Sequence, residues 1–178
     1  MLNCRRERCE LSEIYERNIN VSVSRINEEL ILTKASLLDL NHNIRVELTV
    51  HVPTKTVREA KAAMVKSPFK ICHLTLNRMR NVVGLKIERG IHGRLVEAIG
   101  RAEGCTHMVD LTMEAVRLSA NVLLGFSHQD EEWRDRRLTD EEFIAQVKPV
   151  LKNSCLPFKE DAENSTGSRG VNRGEHRP

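Results

Sequence analysis

The chain has 178 residues, 40% of them apolar and 30% charged, enough to build one domain around a real hydrophobic core. A net charge of +3 with a single Trp and a single Tyr argues against nucleic acid, because single-strand binders line basic grooves with stacking aromatics. No apolar run approaches the roughly 20 residues that cross a bilayer, and the N-terminus shows no secretion signal, so a cytoplasmic protein with no membrane partner is expected.

Residues 1–17 form a charged N-terminal segment, with a short helix expected around Leu11-Ser12-Glu13-Ile14-Tyr15. Cys4 and Cys9 within it resemble half of a zinc site that no second pair completes, and they read as bystanders. A single α+β domain is expected over residues 18–158. Val21 and Val23 alternate with serines, and Ile31-Leu32-Thr33 follows the turn-like Asn27-Glu28-Glu29, so a strand pair is predicted. Asn41-His42-Asn43 breaks the chain before the clearest alternation in the sequence. There Ile44, Val46, Leu48, Val50 and Val52 share one face of a half-buried antiparallel strand. Pro53-Thr54-Lys55 makes a hairpin connection. Thr56 to Met64 is contested, since Glu59-Ala60-Lys61-Ala62-Ala63 favours helix by propensity while pairing with the preceding strand favours a further strand.

The second half is helical by pattern. Leu74 to Val83 reads as a helix closed by Gly84, and Gly90 to Ile99 as another with Leu95, Val96 and Ile99 inward. The longest helix starts at Thr106 or His107 and runs to Leu124, with Met108, Leu111, Ala115, Leu118 and Val122 inward and Gly125 as its stop. His128 to Arg137 is a charged connection. Thr139-Asp140-Glu141-Glu142 then caps a helix through Phe143, Ile144 and Val147. Residues 159–178 are polar and are expected to form a disordered tail.

Four residues at element ends carry chemistry: His42, Cys72, Cys105 and His107. Two thiols and two imidazoles suit tetrahedral zinc or an iron–sulfur species. Cys105 and His107 lie at i and i+2, so they can share an ion only if Cys105 precedes the first regular helical turn. Gly104 makes such an irregular start plausible. A helix start also suits a reactive thiolate, which leaves thiol chemistry at Cys105 open. Packing is the third option for both cysteines. No glycine-rich phosphate loop is present, so no nucleotide cofactor is expected.

Several short motifs add a resemblance. Ala63-Met64, Ser67-Pro68-Phe69 with Cys72, Val83-Gly84-Leu85-Lys86-Ile87 and Gly104-Cys105-Thr106-His107-Met108 resemble a bacterial domain-of-unknown-function family with a Gly-Cys-Thr-His-Leu signature. His42-Asn43 falls where that family carries His-Asp. More distantly, the order His42, Cys72, Cys105 is similar to the ligand order of the U-type iron–sulfur scaffold proteins, such as the N-terminal domain of NifU. That likeness implies an α+β fold, an antiparallel sheet of N-terminal strands packed against C-terminal helices, with residues 56–64 as a strand. It also implies a metal- or cluster-binding accessory protein; the reading leans away from an enzyme without excluding one, and leaves room for an unknown protein partner. Two departures stand against a full transfer: Asn43 lacks the carboxylate a scaffold uses, and His107 follows the last cysteine instead of preceding it. A thiol-based enzyme or sulfur carrier using Cys105, and a structural or interaction module, remain the alternatives.

Overall fold

The computed structural model describes residues 13–126 and 138–159. By contact the chain falls into two compact units, Met1–Leu123 and Leu124–Pro178; the domain expected over residues 18–158 takes in parts of both.

The first unit is built on four strands, β1 (Arg17–Arg25), β2 (Leu30–Asp39), β3 (Asn43–His51) and β4 (Thr56–Lys66), in the order β1-β2-β3-β4. Every pairing is antiparallel, as expected for strands joined by short turns. The alternation in β3 sets the inner face: Ile44, Val46, Leu48 and Val50 are wholly buried, while Arg45, Glu47 and Thr49 face outward or are half-buried. β4 resolves the contest between propensity and pairing in favour of pairing. Its register shifts at Asn43/Ile44 and Thr49/Val50 place Met64, Ala62, Ala60 and Val57 opposite the four buried residues of β3. Ala60 and Ala62, which suggest a helix, therefore belong to the inner row of a strand, and Ala63 to its exposed face.

Residues 84–87 fold back onto the start of β4, where Thr56 bridges Lys86 and the amides of Val57 and Gly84 bond Leu85 O at 2.9 Å and Val57 O at 2.8 Å. The helix expected over Leu74–Val83 is instead a 3-10 helix that begins earlier, spanning Lys70–Val82, and it packs on β4. The burial pattern gives the reason. Leu76, Met79 and Val82 recur in steps of three, the period of a 3-10 helix, and Cys72, Thr75 and Arg78 form the adjacent half-buried row.

Helix α1 (Ile91–Ile99) lies between Gly90, at φ 86°, and Gly100, and it buries Ile91, Leu95 and Ile99. Helix α2 (Thr106–Phe126) buries Met108, Leu111, Thr112, Ala115, Ser119 and Leu123. The expected stripe is corrected at its far end, because Leu118 and Val122 are only half-buried. A polar residue takes the central place, since the Ser119 hydroxyl donates to Ala115 O at 2.8 Å and meets Thr33 Oγ1 of β2 at 2.7 Å. Gly125 does not stop the helix, which continues to Phe126.

The second unit contains α3 (Asp140–Leu151), which opens with the expected capping box between Thr139 and Glu142 and buries Val147. A short 3-10 turn at Leu156–Phe158 follows. Residues 13–16 have no helix; the rest of the expected N-terminal helix, the connection at residues 128–137 and nearly all of the expected tail lie outside the described residues. Among the described residues no helix is long and apolar enough to cross a membrane.

Candidate functional site

The site begins at the turn between β2 and β3. Asp39 ends β2, and its Oδ1 accepts from the amides of Asn41 and His42, each at 2.8 Å. Capping two turn amides with a carboxylate is what an Asp at this position does locally. The same oxygen lies 2.9 Å from His42 Nδ1. On the other side, β1–β2 register makes Arg17 the cross-strand partner of Asp39. The guanidinium reaches Asp39 Oδ2 through Nε at 2.8 Å and Nη2 at 2.7 Å.

His107 enters from the first turn of α2. Its ring centroid lies 4.0 Å from that of His42, with the planes tilted by 41°. Arg17 Nη2 stands 3.5 Å from His107 Nε2. Gly104 explains how the helix starts here. A Cβ at that position would fall 2.1 Å from Ile99 O and 2.3 Å from Gly100 O, so only glycine lets the chain pass so close to the end of α1. The amide of Cys105 then bonds Ile99 O at 2.9 Å, and its carbonyl accepts from Val109 at 3.1 Å. Cys105 is thus the residue before the first helical turn, which is the placement that joint use with His107 requires.

Burial pushes the Asp39 carboxyl upward, but the bonds from Asn41, His42 and Arg17 outweigh it and hold the group well below the usual carboxylate range. Asp39 is therefore an ionised acceptor, so His42 Nδ1 carries the proton between them and Nε2 is the ring nitrogen outside that bond. Burial lowers the pKa of His107, with the proximity of His42 and Arg17 acting in the same direction, so this ring is neutral at pH 7. The constellation joins one ion pair, buried at its carboxylate, to two closely placed imidazoles.

The cysteines do not join this centre as preformed ligands. Cys72 is half-buried in the 3-10 helix, and its carbonyl accepts from Thr75 Oγ1 at 2.7 Å. The same hydroxyl reaches Met108 Sδ at 3.4 Å, which ties the Cys72 turn to the first turn of α2. Cys105 is also half-buried. Among the described residues no group of three or more His, Cys, Asp or Glu stands where it could hold a metal ion. Of the four residues singled out by sequence, His42 and His107 are brought ring to ring, whereas Cys105 only precedes His107 in the chain and Cys72 is linked to α2 only through Thr75 and Met108. His73 and His92 are exposed, as expected. Asp39 and Arg17 were missed; Asp39 had a local signal, lying three residues before His42 in a turn, but Arg17 is reached only through strand register.

A family model described as "Protein of unknown function (DUF2889)" matches residues 15–120, more than half of the chain and the whole of this site. No curated protein matches the chain, and no solved structure does.

Proposed function

The chain belongs to that DUF2889 family of proteins of unknown function, and we propose that its histidine pair is the centre of a transition-metal site in a metal-binding accessory protein. The observation that carries this reading is the way His42 is held. A buried carboxylate accepts from Nδ1 and leaves Nε2 outside that bond, with the ring of His107 centred 4.0 Å away. Carboxylate–histidine pairing of this kind orients metal-ligating histidines and raises their basicity.

The donor set fits zinc or an iron–sulfur species in kind: two imidazoles, with the thiols of Cys105 and Cys72 on the adjoining turns. His42 and His107 would hold the ion first, and the flanking thiols would complete its shell by side-chain movement. Arg17 is the group that must yield. It stands 3.5 Å from His107 Nε2, a long and weak contact, while its main partner is Asp39. When bound, the ion would be cargo or a structural clamp.

Elemental analysis of protein purified without chelator, together with cobalt titration followed by absorption, tests this. Near one ion per chain is expected, with losses in His42→Ala, His107→Ala, Cys72→Ser and Cys105→Ser and none in His73→Ala. A parent chain that binds no ion, or variants that all retain it, would refute the proposal. A second reading rests on the placement of Cys105 immediately before α2, with His107 two residues on. There the thiol does the chemistry, and fast, selective alkylation of Cys105 in metal-free protein would mark it.

A further inference from the structure

Beside the histidine site, the end of the sheet is unusually apolar for a surface. Leu38 and Leu40 at the β2–β3 turn, Val65 near the end of β4, and Phe69, Ile71 and Leu74 at the start of the 3-10 helix are each between 52% and 70% exposed. They occupy one region. Leu38 pairs with Asn43, which pairs with Lys66, so the ends of β2, β3 and β4 lie in one row. Lys66 Nζ bonds Leu40 O across that row. Ser67 Oγ and the Cys72 amide both bond Phe69 O, at 3.1 Å each, which folds the Phe69–Cys72 turn tightly after β4. Ile71 and Leu74 are three residues apart in a 3-10 helix, so they lie above one another on a single face. Scattered apolar residues on a surface need no explanation, but a contiguous set around a turn marks an interaction site.

The run of chain that carries Phe69, Ile71 and Leu74 is basic, although Lys61, Arg78 and Lys86 are paired with Glu59, Glu103 and Glu88. Between Ala60 and Ile87 the chain carries Lys61, Lys66, Lys70, Arg78, Arg80 and Lys86, and no Asp or Glu. Lys66 and Lys70 bracket Phe69, and neither forms an ion pair among the described residues. We propose that this end of the sheet, next to Cys72, docks an acidic segment of a partner protein whose apolar side chains cover Phe69, Ile71 and Leu74. Lys66 and Lys70, on either side of Phe69, select the occupant. They attract acidic side chains, and they disfavour a second copy of this same face, which would set lysines against lysines. The proposal stands whether or not the neighbouring histidines bind metal.

The test uses the full chain, nitrogen-labelled for NMR, titrated with a synthetic amphipathic helix of leucines and glutamates. The controls are the same peptide with lysines for glutamates, and vesicles of phosphatidylcholine containing phosphatidylglycerol. Amide shifts confined to residues 38–40 and 65–74 are expected with the acidic peptide alone, and they should weaken as salt rises. Phe69→Ser with Ile71→Ser should abolish them, and Lys66→Glu with Lys70→Glu should weaken binding about tenfold or more. All four positions are exposed, so these variants keep the fold, and unchanged spectra elsewhere verify it. No shift with either peptide, or equal shifts with both, would overturn the proposal. So would binding to vesicles without binding to the acidic peptide, or concentration-dependent dimers lost in the Phe69/Ile71 variant.

Discussion

Asp39→Asn is the most informative single change. The Asp39 side chain is 0% exposed and that of Arg17 is 37% exposed. Asparagine keeps the shape, and its carbonyl oxygen can still accept from the Asn41 and His42 amides. Its NH2 then faces the Arg17 guanidinium, donor against donor, and the charge that held Arg17 is gone. Removing one partner of a buried ion pair costs about 3–5 kcal/mol, but Arg17 is exposed enough to turn towards water, which brings the expected loss to roughly 2–3 kcal/mol. Urea unfolding at pH 7 should show that loss, and the melting temperature should fall by roughly 5–10 °C for a chain of this size. The pH profile tests the origin of the effect. The folded carboxyl lies below its unfolded value, so its stabilisation is complete above about pH 4–5 and is lost as pH falls through the folded pKa. The gap between parent and variant should therefore be constant near neutrality and close in acid. A variant within about 0.5 kcal/mol of the parent at pH 7 would refute the reasoning, as would a gap that persists in acid.

Three further outcomes follow from the same geometry. Since the folded pKa of His107 is lowered, the unfolded chain takes up the proton first, and stability should drop as pH falls from about 6.5 through the folded value. An NMR titration of His107 should give a midpoint below about 6.5, and His107→Gln should flatten that slope. Gly104→Ala would force a Cβ against Ile99 O and Gly100 O and should cost about 3 kcal/mol or more, whereas Gly93→Ala in α1 meets nothing within 4 Å and should gain about 0.5–1 kcal/mol; thermal melts separate the two signs. Because Ser119 already donates to Ala115 O, Ser119→Ala leaves the buried Thr33 hydroxyl without an acceptor and should cost about 1–3 kcal/mol. Thr33→Val should cost less, and a double-mutant cycle should show that the second change relieves part of the first.

The parts of the fold that were legible in the sequence are those where one local period decides the outcome. Alternation placed β3, Gly90 and Gly100 placed the ends of α1, and a capping box placed the start of α3, whereas Gly125 did not end α2. β4 was harder, because Ala60 and Ala62 are good helix formers, and only their pairing with Leu48 and Val46 makes them strand residues. The 3-10 helix was readable in principle from Leu76, Met79 and Val82 in steps of three, but a helical search at a period of 3.6 absorbs such a pattern. The inner line of α2 was misplaced at Leu118 and Val122, since a search for apolar residues passes over Ser119, whose hydroxyl is matched by Thr33 from a distant strand.

The site divides along the same line. His42 and His107 were recognisable because their chemistry and their placement at element ends are local properties. Asn43 looked like the loss of a carboxylate, yet the turn supplies one from its other side, through Asp39. Arg17 was invisible, because its contact with Asp39 exists only once β1 and β2 adopt their register. Arg17 nevertheless decides what the histidines meet. While it stays on Asp39, the buried charges cancel and the two imidazoles face a nearly neutral pair. A cation arriving between the rings gains if Arg17 swings out, since the freed carboxylate then strengthens His42 as a donor. An anion gains if Arg17 stays. The side chain is exposed enough to move and is held at the carboxylate by close contacts, so in the proposed metal site the first residue of the sheet would govern which charge is accepted.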